Sequence, residues 1–134
     1  MFLYTDGASR GNPGEAAICF RLLEPTGLVL REEAKRIGLA TNNQAEYRAL
    51  IAGLETALAE TSGPLRCRSD SGLLVKQMRG EYRVKNAALK SLWEEAQKLA
   101  RRFVRIEFVQ VPRADPDIAR ADALANQALD APAI

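Results

Sequence analysis

The chain of 134 residues contains no histidine. That excludes a Ser-His-Asp or Cys-His triad, a histidine general base and any histidine-ligated metal. Its two cysteines, Cys19 and Cys67, lie in apolar or strand-like runs without CxxC spacing and read as buried free thiols, not as a disulfide or a zinc site. Chemistry here must run on carboxylates, hydroxyls, lysines or a metal held by oxygen. Four acids stand out by their settings: Asp6 in MFLYTDG, Glu46 in TNNQAEYRAL, Asp70 in LRCRSDSG and Asp122 in RADALAN. Glu46 is the least expected. Winding its segment at about 100° per residue puts Tyr47, Leu50, Ile51, Leu54, Ala57 and Leu58 on one apolar stripe, with Glu46 on the margin.

Taken singly, each acid has a structural reading. Asp6 can start an Asp-Gly turn, Asp70 can cap a helix, Glu46 can be a first-turn acid favoured by the helix dipole, and Asp122 can be an exposed helix residue. Whether they act together depends on the elements that carry them. Residues 1–6 read as a strand ending in the loop DGASRGNPGE, and 16–24 and 27–38 as a hairpin around EPTG. A helix over 43–60 follows, then a short strand over 65–70, a helix over 71–79, the connection RGEYRVKN and a long helix over 87–102. Residues 103–111 alternate as a strand, PRADPD is a loop, and 119–130 form the last helix. The order βββαβααβα predicts an α/β fold with a mixed sheet, in which the 43–60 helix crosses over so that the fourth strand lies parallel to the first.

In that arrangement Asp6 and Asp70 end neighbouring strands about 4.8 Å apart, and the crossover helix brings Glu46 to the same spot. The last helix can add Asp122 at the rim. Clustered carboxylates repel unless a cation neutralises them, and an all-oxygen, highly anionic set suits Mg²⁺ or Mn²⁺. Nearly half of the residues are apolar, which fits one domain over 1–134. No run approaches the roughly 18 apolar residues of a membrane span, and MFLYTDGASRG lacks signal-peptide features, so a cytoplasmic location without membrane contact is expected. Net charge is only +2, yet Lys76, Arg79, Arg83, Lys85, Lys90, Lys98, Arg101, Arg102 and Arg105 crowd one stretch with Tyr82 and Trp93 among them. That stretch is either a solvated face with pairs such as Glu94 to Lys98, or a nucleic-acid surface.

YTDGASRGNPG (4–14), TNNQAEYRAL (41–50), SDSGLLVKQM (69–78) and ADALANQAL (121–129) together resemble the four blocks of type 1 ribonuclease H, in order and near its spacing. The resemblance implies the ribonuclease H fold, a five-stranded mixed sheet flanked by helices, acting as a monomer. It implies hydrolysis of the RNA strand of an RNA/DNA hybrid with two Mg²⁺ or Mn²⁺ ions, leaving 5′-phosphate and 3′-hydroxyl ends. Asp6 would bind both ions, Glu46 and Asp70 would divide them, and Asp122 would complete the second site. It further implies that Asn12, Asn42, Asn43 and Gln44 contact the minor groove and its ribose hydroxyls. Thr41 and Asn86 would hold a DNA-strand phosphate, and Tyr82 would line the DNA channel. Plain structural readings stand beside these: Asn12-Pro13-Gly14 as a turn, Asn86 as a helix cap, Tyr82 as core. The loop PRADPDIAR lacks the histidine of many relatives, the usual asparagine is Ile118, and no separate basic helix fits after KQMRGEYRVKN. The alternatives left open are a relative that also cuts double-stranded RNA, another polynucleotidyl enzyme on the same fold, and a non-catalytic hybrid-binding module.

Overall fold

The computed structural model describes residues 1–132. Five strands, β1 (Phe2–Ser9), β2 (Gly14–Leu23), β3 (Val29–Ala40), β4 (Leu65–Ser69) and β5 (Ile106–Gln110), alternate with helices α1 (Asn42–Glu60), α2 (Gly72–Met78), α3 (Ala87–Ala100) and α4 (Pro116–Asp130) in the expected order. The sheet runs β3-β2-β1-β4-β5. β1, β2 and β3 pair antiparallel, whereas β1–β4 and β4–β5 are parallel. No helix among the described residues is long and apolar enough to cross a membrane.

The two faces are covered differently. On one, Leu3, Phe20 and Leu22 of the sheet meet Tyr47, Leu50 and Leu54 of α1, with α3 behind. Each such fully buried large side chain contributes about 1.5–3 kcal/mol. On the other, α4 lies on β1, β2 and β3 through small residues, Ala121 and Ala125 against Ala17 and Cys19. Ile118 adds an apolar contact with Tyr4 and Leu23, and arginines reinforce the packing at both ends of α4. Arg21 of β2 bridges Asp117 and Glu32 at 2.5 and 2.6 Å. Arg36 of β3 donates to the carbonyls of Ala128, Leu129 and Ala131 at 2.9, 2.7 and 2.5 Å, and Arg10 bridges Asp130 at 2.5 Å. Cations at a helix C-terminus satisfy its orphan carbonyls and complement its dipole.

Several boundaries differ from the sequence expectation. β1 continues to Ser9, so Asp6 lies inside the strand and pairs with Cys19 of β2; the Asp-Gly step is no turn. Ser71, not Asp70, caps α2, its hydroxyl accepting from the Leu74 amide at 3.3 Å. α4 begins at Pro116, three residues early, because Asp115 accepts from the amides of Asp117 and Ile118 while proline occupies the first turn, where no amide is needed. α3 ends at Ala100, and β5 starts only at Ile106. Cys19 and Cys67 are buried free thiols, as expected.

Candidate active site

The parallel register fixes two of the acids. Tyr4 is level with Arg68, and side chains two residues on return to the same face, so Asp6 and Asp70 are neighbours just beyond the β1–β4 ladder. Glu46 arrives through a close approach at Gly7. A Cβ there would overlap the Ala45 carbonyl carbon and stand 2.5 Å from the Glu46 amide nitrogen. Glycine therefore lets the first turn of α1 rest on β1, and the Gly7 amide donates to Glu46 Oε1 at 2.5 Å. One ligand oxygen from each of Asp6, Glu46 and Asp70 lies within 4.8 Å of the other two. Asp122 stands outside this triad, yet near enough to Asp6 to raise its proton affinity. Asn126, one turn on, orients it by donating to Asp122 Oδ1 at 3.2 Å.

Crowding shows in the proton affinities. Burial first, then the facing Glu46, Asp70 and Asp122, push the Asp6 carboxyl up to about 9. Burial likewise raises Glu46, assisted by Asp70 and opposed by the Gly7 amide. Without a cation the cluster thus holds protons at neutral pH. The donor set is all oxygen, anionic and close-set, and it fits a hard divalent metal. Gly7→Ala is expected to destabilise the fold by about 1–3 kcal/mol through overpacking. Displacing Glu46 by about 1 Å should also cost about a hundredfold in the rate of any metal-dependent reaction at the cluster. The denaturation midpoint and the rate, measured together, check both.

The other predicted residues fall into two groups. At the start of α1, Thr41 Oγ1 accepts from the Gln44 amide at 3.1 Å, and Gln44 Oε1 accepts from the Thr41 amide at 2.9 Å, a reciprocal cap. Asn12 Oδ1 accepts from the Asn42 amide at 3.1 Å and ties the β1–β2 loop to that helix end. Asn42 and Asn43 are exposed. The second group lies on the α2–α3 connection. Asn86 caps α3, accepting from the Leu89 amide at 3.0 Å. Tyr82 is 51% exposed, which removes its reading as core, and Lys76 Nζ stands 4.9 Å from its ring centre. Among the described residues, Glu94 and Lys98 form no ion pair, so the solvated-face reading loses its expected contact.

Sequence reasoning missed Gln77. It is 4% exposed and joins the two groups: Tyr47 Oη donates to its Oε1 at 2.6 Å, while its carbonyl accepts from Trp93 Nε1 at 3.1 Å. Its polar type on a buried helical face was the only signal. Asn126 was also missed, though its i,i+4 spacing from Asp122 was legible.

A family model described as Reverse transcriptase-like matches residues 4–128. The Ribonuclease HI of Halobacterium salinarum is 45% identical over 127 residues, covering 95% of this chain and 63% of that protein. The chain thus spans less than two thirds of that relative's length. The crystal structure of RNase H1 from H. salinarum NRC-1 superimposes with a TM-score of 0.91 at 44% identity, covering 96% of each chain. LC11-RNase H1, solved in complex with RNA/DNA hybrid, superimposes with a TM-score of 0.89 at 39% identity, again over 96% of each.

Proposed function

The chain belongs to the type 1 ribonuclease H family, and on that premise we propose that it is an endoribonuclease cutting the RNA strand of RNA/DNA hybrids. The observation that carries this reading is the triad of Asp6, Glu46 and Asp70, with ligand oxygens within 4.8 Å and no histidine or thiolate among them. Two Mg²⁺ or Mn²⁺ ions bound there would lower the pKa of an attacking water and steady the leaving 3′ oxygen, giving 5′-phosphate and 3′-hydroxyl ends.

The chain's own residues set up that chemistry. Asp6 lies between the other carboxylates and would serve both ions, Glu46 and Asp70 one each, with Asp122 completing the second position. The Gly7 amide keeps one Glu46 oxygen engaged and so fixes the plane of that carboxylate; Asn126 does the same for Asp122. Asn12, Asn42, Asn43 and Gln44, gathered at the adjacent helix end, would read the minor groove, where the ribose 2′-hydroxyl distinguishes RNA from DNA. Thr41 and Asn86 would hold a DNA-strand phosphate and Tyr82 would face a DNA base or sugar.

Strand-labelled RNA/DNA hybrid incubated with Mg²⁺, Mn²⁺ or EDTA, beside an RNA/RNA duplex, tests the proposal. Metal-dependent cutting of RNA only within the hybrid is the expected result. Cutting of both duplexes would widen the specificity, and binding without cutting under either metal would leave a hybrid-binding module. Asp122→Asn is expected to be milder than substitution of the triad, about 10- to 100-fold in rate, because this residue orients at the rim. An equal or larger loss than for Asp70→Asn, measured under the same single-turnover conditions, would reverse that ranking.

A further inference from the structure

The crowded cations of residues 76–105 are not evenly dispersed in the fold. Three depressions of about 620, 410 and 520 Å³ join into one trough along α3. The first, beside Tyr82 and Lys85, shares Gly80 and Trp93 with the second. The second shares Arg79, Gln97 and Arg101 with the third, which ends at Arg105 beside the outer strand β5. Lys90, Trp93, Gln97 and Arg101 line it at helical spacing over about 17 Å; Trp93 and Gln97 donate inward to the carbonyls of Gln77 and Met78, so the free donors are the cations. Seven cations face the trough against two acids, Glu94 and Glu107. Lys85, Lys90, Lys98 and Arg101 form no ion pair among the described residues.

We propose that this trough holds single-stranded DNA, the unpaired flank of the hybrid's DNA strand, on a path from Tyr82 past Trp93 to Arg101 and Arg105. The proposal rests on the hybrid reading above, since the trough opens at the residues assigned there to the DNA strand. Charge and shape choose the occupant. A duplex presents only its backbone ridge to such a channel, whereas a single strand can lie along it with phosphates on the cations and bases against the aromatic faces. An acidic peptide would match the charge, but it would leave the exposed Tyr82 ring at the mouth of the trough without a planar partner.

The test compares a blunt RNA/DNA hybrid with the same hybrid carrying an eight-thymidine extension on the DNA strand, at its 5′ or 3′ end in turn. A matching RNA-strand extension, a free thymidine oligomer and a glutamate decamer serve as further arms, all read by fluorescence anisotropy in EDTA. The wild type should bind the DNA-extended hybrid about tenfold more tightly at low salt, for one of the two ends only. Three added phosphate contacts on a single strand should steepen the log–log salt slope by about 2. In Lys98→Gln/Arg101→Gln/Arg105→Gln the ratio of extended to blunt affinity should fall to about one, whatever uniform loss the variant shows. These side chains are exposed, and an unchanged melting temperature checks the fold. Equal gain from both ends or from RNA extensions, no gain at all, or a ratio the variant leaves intact would overturn the proposal. Tight decamer binding that the variant abolishes would reassign the trough to acidic peptides. If the blunt hybrid is neither bound nor cut while the free oligomer binds in a variant-sensitive way, the single-strand path stands and the ribonuclease reading falls.

Discussion

Asp70→Asn is expected to lower hybrid cleavage by at least about a thousandfold, roughly 4 kcal/mol of transition-state stabilisation, with the fold and hybrid binding retained. On the proposed reading the change removes a negatively charged metal ligand, and it removes almost no volume. Asp70 sits between the end of β4 and the cap of α2, and the local hydrogen bonds there belong to its neighbours: Ser69 Oγ accepts from the Ser71 amide at 3.0 Å, and Ser71 Oγ from Leu74. The asparagine therefore inherits a backbone held by other residues. The residues proposed to contact the hybrid, at the start of α1 and on the α2–α3 connection, make no contact with this carboxylate, and loss of a charge that repels phosphate should leave metal-free binding no weaker. Single-turnover cleavage and anisotropy in EDTA, run on both proteins, separate the two effects. A variant that cuts at the wild-type rate would remove Asp70 from the metal site.

Asp6→Asn should abolish cleavage as well, yet stabilise the metal-free protein, by about 1–3 kcal/mol at pH 8, the scale of relieving one unfavourably buried polar group. The sign follows from proton binding. The folded Asp6 carboxyl is raised to about 9 from an ordinary value of 3.8, so between those limits the folded chain holds a proton that the unfolded chain has released. Stability then falls as pH rises across this window, and the raised Glu46 acts in the same direction. Asparagine at position 6 removes the largest share of that slope. Melting temperatures in EDTA should diverge as pH increases, the variant above the wild type at pH 8 and close to it near pH 4. Divalent metal should raise the wild-type midpoint most at high pH, where the cluster is least compensated. Parallel pH profiles for the two proteins would show that the carboxylates are not in conflict.

Much of this was legible because separate signals agreed. The element order followed from hydrophobic periodicity and turn residues, and the crossover logic brought Asp6 beside Asp70 before any coordinates. What failed was local. Asp6-Gly7 reads as a turn, yet the glycine serves a helix packed from another part of the chain, a contact with no trace in the neighbouring sequence. Thr41 and Gln44 were read as contacts to nucleic acid, and the fold also engages both in capping α1. Asn86 likewise performs the cap its type suggests. The start of α4 was recoverable from Asp115-Pro116, a cap followed by a helix-compatible proline, but the loop composition around it hid the signal. Gln77 could not be found from one sequence, because its partners, Tyr47 and Trp93, are distant in the chain and meet only in the folded core.

The fastening of α4 separates one acid from the other three. Three of the four acids sit on β1, α1 and the end of β4, all joined through one apolar core. The fourth sits on a helix held to the sheet by small residues, by Ile118 and Leu129, and by arginines from β2, β3 and the loop before β2. A local loosening of α4 alone should carry Asp122 away and lower the rate by about the 10- to 100-fold expected for Asp122→Asn, while the other three acids keep their places.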